Sequence, residues 1–77
     1  MATITARNHQ FDVVITKESD QFSAVCLTAS IASCGRTKQE ALRMVSEAIE
    51  LYIEDLTDAE IAELPKVSLE QVTLPRG

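Results

Sequence analysis

The sequence predicts an α+β domain of order βββαβ: an antiparallel meander with one long helix packed on the sheet. Three observations carry that prediction. Residues 10–34 alternate apolar and polar side chains in short runs, the chain then turns to helical spacing behind a well-marked cap, and residues 67–74 return to strand-like alternation.

The elements follow in order. "QFDVVITK" sets Phe11, Val13 and Ile15 against Asp12, Val14 and Thr16, a half-buried strand rich in β-branched residues. "ESD" interrupts it with turn formers, and "QFSAVCL" resumes the alternation with Phe22, Ala24 and Cys26 on one face. Strands separated by so short a polar break read as an antiparallel hairpin. After the small polar break "TAS", "IASC" is a third strand ending at Gly35. Thr37 and Glu40 then form a capping box at the helix start, each side chain reaching the other's backbone N–H. Ala41, Val45, Ala48, Ile49, Tyr52 and Leu56 recur at helical spacing on the buried face, opposite Glu40, Arg43, Glu47, Glu50 and Glu54. Leu42, Ile49 and Ile53 widen one flank of that stripe, and Met44 and Leu51 widen the other. The apolar arc covers roughly half the circumference, more than a single sheet contact requires. Met44 and Leu51 therefore either cover the sheet's edge or form a second burial surface for self-association. A second box, Thr57 with Glu60, opens a short helical segment closed by Pro65. In "KVSLEQVTLP" the apolar set changes face between Leu69 and Val72, marking a bulge or an edge strand.

Length and composition bound the function. The 77 residues make a single domain, 1–77, with a core over about residues 10–74 and an extension at 1–9. A domain this small buries only about 60% of its unfolded surface, so self-association is a natural supplement to its stability. No apolar run approaches a membrane span and "MATITARNHQ" has no signal core, so a cytoplasmic location is expected. The net charge is −5, and between Arg43 and Lys66 stand seven acids (Glu47, Glu50, Glu54, Asp55, Asp58, Glu60, Glu63) and no base. That stretch repels phosphate backbones and suits either solubility or a basic protein partner.

Catalytic chemistry is poorly provided for. The two cysteines, Cys26 and Cys34, lie in apolar strand patterns and with His9 fall short of a structural zinc site. Buried, reduced thiols are expected, and no metal or other cofactor. The two glycines, Gly35 and Gly77, cannot frame a phosphate loop. Nucleophilic catalysis lacks a base beside a framed nucleophile. Asp12, a helix glutamate and Glu70 are the only carboxylates from different elements that would converge on Mg²⁺, as a small metal-dependent nuclease would need.

The ordered segments "FSAVC", "IASCGRT" and "QEALRMVSEAIELYIE" resemble the N-terminal domain of HicB antitoxins and their stand-alone HicB-like relatives. The resemblance covers about residues 10–56. It implies a partial RNase H-like fold, with a final strand near residues 67–74 lying beside the first and without RNase H catalytic carboxylates. It also implies a homodimer, and neutralisation of HicA, a small basic mRNA-cleaving toxin, without enzymatic activity. Glu47, Glu50 and Glu54 are the residues expected to meet such a partner, and Met44 and Leu51 those expected to serve self-association. The alternatives are an RNase H-like nuclease and a dimeric scaffold whose toxin has been lost. Two departures stand out. The family's proline-containing loop is replaced by Leu27, Thr28, Ala29 and Ser30, and these 77 residues are expected to be used up by the first domain, so operator binding is not expected.

Overall fold

A computed structural model describes residues 2–68 and 70–75. The chain is α+β, in the order β1 (Ala2–Ala6), β2 (His9–Lys17), β3 (Phe22–Cys26), β4 (Ile31–Gly35), α1 (Lys38–Ile53) and α2 (Asp58–Ala62). The strands form one antiparallel sheet in sequence order, and α1 packs across one face of it, mainly over β3 and β4. Strands β2, β3 and β4 are the expected meander, and their register places Val13 opposite Cys26 and Cys26 opposite Ile31.

The fourth strand comes from the N-terminus. Residues 2–6, expected as part of an extension, alternate Ala2, Ile4 and Ala6 against Thr3 and Thr5 and pair along β2 from Ala2↔Val13 to Ala6↔His9. A two-residue loop closes this hairpin, with Arg7 at φ 50° and Asn8 at φ 65°. Both are left-handed, as a type I′ turn requires. Closing so short a loop costs little entropy. The expected strand at residues 67–74 does not form among the described residues: 66–68 and 70–75 have no regular structure. The expected face change between Leu69 and Val72 lies partly outside the described residues, since it involves Leu69.

The core is the layer between sheet and helix: Ala6, Phe11, Val13, Ala24 and Cys26 from below, Ala41, Val45, Ile49, Ile53 and Ile61 from above. The buried stripe of α1 follows the i+4 row rather than the straight face read from the sequence. That row is inclined to the helix axis, so by the last turn the sheet-facing direction has rotated from Tyr52 towards Ile53. Tyr52, expected in the core, is 44% exposed.

Gly35 shows why the chain passes from β4 to α1 so tightly. A Cβ at Gly35 would lie 2.7 Å from the backbone nitrogen of Ala41 and 2.9 Å from Cβ of Glu40. Only glycine lets the first turn of α1 sit on the end of β4. Gly35→Ala should therefore destabilise the fold by about 1–3 kcal/mol, the usual cost of overpacking. Urea denaturation measures it, and an unchanged midpoint would contradict this packing.

Candidate functional site

The start of α1 keeps half of the expected capping box. Thr37 Oγ1 accepts from the Glu40 N–H at 3.0 Å, but the Glu40 carboxylate accepts from the Arg36 N–H at 3.4 Å instead of from Thr37. The second box is complete: Thr57 Oγ1 accepts from the Glu60 N–H at 3.1 Å, and Glu60 Oε1 accepts from the Thr57 N–H at 2.9 Å. Hydrogen bonding of the Glu60 carboxyl to the Thr57 backbone N–H, and secondarily to the Thr57 hydroxyl, holds it below its ordinary value. A depressed folded pKa means that the cap stabilises α2 above the unfolded pKa and is lost as pH falls through the folded one. NMR titration should give Glu60 a lower midpoint than a glutamate of the unfolded chain. Thr57→Ala should move that midpoint upward.

The outer face of α1 carries the acids. Glu47, Glu50 and Glu54 are exposed and line a shallow depression together with Leu51, which is 71% exposed. The two roles expected of separate flanks thus fall on one surface, an apolar side chain surrounded by carboxylates. Met44 lies on the same side about two turns earlier and is 39% exposed. Arg43 reaches Glu47 Oε1 at 3.3 Å. Glu50 and Glu54 also border a wider cleft completed by Thr5, Ala6, Arg7, Ile53, Asp55, Leu56 and Thr57. The two depressions adjoin across Glu50 and Glu54, one holding Leu51 and the other reaching the tip of the first hairpin at Arg7.

Arg7 organises the far end of this groove, and sequence reasoning missed it. Its Nη1 donates to the carbonyl oxygens of Ile53 at 2.9 Å and Leu56 at 2.6 Å, and its Nη2 reaches Asp58 Oδ1 at 3.1 Å. His9 Nε2 lies 3.5 Å from the same oxygen. A helix ends with unsatisfied carbonyls, and α1 has no basic residue in its last turn. The left-handed turn at Arg7–Asn8 aims the guanidinium at them from another element. The available signal was the pair "RN" between two short alternating runs, but the two-residue loop lacks the glycine that usually marks it. Arg7→Ala should cost about 1–2 kcal/mol, the low end for hydrogen bonds to charged groups, because the guanidinium is partly exposed. Arg7→Lys should recover only part, because an ammonium cannot span both carbonyls and the carboxylate. Thermal melts of the three proteins check this.

The other candidates separate. Asp12 accepts from Thr3 Oγ1 at 3.3 Å on the open face of the sheet, while α1 covers the opposite face. The carboxylates of Asp12 and of the α1 glutamates therefore do not converge, and Glu70 is exposed in the segment after α2. Among the described residues no group of three or more His, Cys, Asp or Glu is placed to hold a metal ion. Cys26 is buried beneath α1, as expected, but Cys34 is exposed on the open face. Both are free, and opposite faces keep them from bridging. No helix among the described residues is long and apolar enough to cross a membrane.

Comparison with known proteins gives two significant relatives. UPF0150 protein Ta0767 of Thermoplasma acidophilum is 35% identical over 68 residues, covering 84% of this chain and 96% of that protein. The chain belongs to the UPF0150 family. A UPF0150 protein of Helicobacter pylori is 41% identical over 54 residues, covering 70% of this chain and 75% of its own length. No family model matches the sequence. No solved structure matches the fold closely enough to count.

Proposed function

We propose that this UPF0150 protein is a HicB-like, non-enzymatic antitoxin-type domain. It binds a small basic HicA-type toxin through the outer face of α1 and blocks its cleavage of mRNA in the cytoplasm. The observation that supports this reading best is the grouping of Glu47, Glu50 and Glu54 around exposed Leu51. An apolar centre ringed by charge has the anatomy of a binding patch: the centre excludes water, and the ring steers the partner. Membership of UPF0150 and the ordered HicB-like segments point the same way.

The carboxylates act here as charge, competing with RNA for a basic surface. Two copies meeting through this face would bring their acidic rims together, at a cost in repulsion. The reading therefore gives Leu51 to the partner rather than to a second copy.

The test is stopped-flow binding to a HicA-type toxin at two ionic strengths. Replacing Glu47, Glu50 and Glu54 together by Gln should slow association on the order of tenfold at low salt and flatten its salt dependence. Leu51→Ala should instead speed dissociation. Equal association rates for wild type and triple variant would remove charge steering. Failure to bind or inhibit any such toxin would remove the antitoxin role and favour a dimeric scaffold without one.

A further inference from the structure

The segment after α2 is built like a strand, and its described residues pair with no strand. Val72 and Leu74 are 76% and 78% exposed, flank Thr73 in strand alternation, and lie in a stretch uninterrupted by glycine. Among the described residues no backbone hydrogen bond reaches beyond Leu64. The segment leaves the body beside His9, Phe11 and Thr28, where Leu64, Pro65, Lys66 and Val67 rest against the sheet's end. It extends the molecule to 49 × 30 × 16 Å, with a radius of gyration of 14.2 Å. A compact chain of this length would have about 11–12 Å.

The sheet offers a matching vacancy. Strand β1 is an edge whose outer side has no partner among the described residues. "ATITA" carries no lysine, proline or charge, the devices that usually block edge pairing. The pair closing a two-residue loop, Ala6 and His9, exchanges both hydrogen bonds, so by alternation Thr3 and Thr5 turn their N–H and C=O outward. The helix layer also runs out here. Because α1 lies over β3 and β4, the helix-side residues Ala2, Ile4 and Ile15 stay half-buried. Strand β4, the other edge, lies beneath α1 and offers Ile31 as its only large apolar side chain on that face.

We infer that residues 70–75 of one copy add as a strand to the β1 edge of a second copy, and reciprocally, to make a two-fold dimer. Val72 and Leu74 cover Ile4 and Ala2, while the amides of Thr3 and Thr5 gain carbonyl partners. Neither strand of this pairing bears a charge except Glu70, so the acidic repulsion of the α1 face does not arise. The depression around Leu51 is lined by α1 residues alone, so covering the β1 edge leaves it open.

The test uses the full chain. Sedimentation equilibrium at micromolar concentration should give the dimer mass, and amide exchange at Thr3, Thr5 and Thr73 should slow as concentration rises. Thr73→Pro, and separately Val72→Lys with Leu74→Lys, should halve the mass and restore fast exchange with circular dichroism unchanged. Leu51→Glu should leave the dimer intact. A monomer with fast exchange at Thr3 and Thr5 overturns the inference. So does a monomer with slow exchange there, which means that the segment folds back on its own β1. A dimer insensitive to both arm variants overturns it in favour of another surface. None of these outcomes bears on toxin binding.

Discussion

Arg7 joins the tip of the first hairpin to the last carbonyl of α1, at Ile53, to the Leu56 carbonyl of the linker and to the first residue of α2. The helix needs this contact because its own end is poorly provided for. There is no glycine after Ile53 to wind into a left-handed cap, and the chain tightens instead through Glu54 N–H to Leu51 and Leu56 N–H to Ile53. Holding the end of α1 over the hairpin seats Ile53 and Ile61 against Ala6 and Phe11, the part of the core farthest from the Gly35 contact. Helix and sheet are thus pinned at opposite ends, by a close backbone approach at one and a charged side chain at the other.

Local signals in the sequence marked most of this. The meander, the Thr37 and Thr57 caps and the acidic face of α1 are all short-range patterns, and each lies where it was expected. What was not legible depends on distant partners. Strand β1 is small and weakly apolar, and only its pairing with β2 makes it a strand. Residues 67–74 have the better strand pattern, yet the described ones among them pair with no strand, since pattern specifies a face and not a neighbour. Tyr52 fails for a related reason: a straight helical face ignores the angle at which α1 crosses the sheet.

The candidate site divides along the same line. Glu47, Glu50 and Glu54 follow from helical spacing alone. Leu51 sits beside Glu47 and Glu54 by the same i+4 and i+3 spacing, whereas the adjoining cleft at Arg7 depends on where the hairpin and the helix end meet. The exposed Cys34 was misread because both faces of its strand carry small residues, so alternation gave no preference.

The placement of the acids bears on what they are for. Glu50, Glu54 and Asp55 lie at or near the C-terminal end of α1, where the helix dipole is negative and carboxylates are unfavourable. A helix shaped for stability alone would carry lysine or arginine there, and this one carries none in its last turn. Arg7 offsets part of that cost, but its hydrogen bonds go to carbonyls and to Asp58, leaving Glu50 and Glu54 facing solvent. In a domain with so small a core, negative charge kept at the negative end of its main helix is a local sacrifice of stability. Such sacrifices gather at binding surfaces. A basic partner laid along this groove would reverse the penalty, since its cations would meet the carboxylates and the helix dipole together.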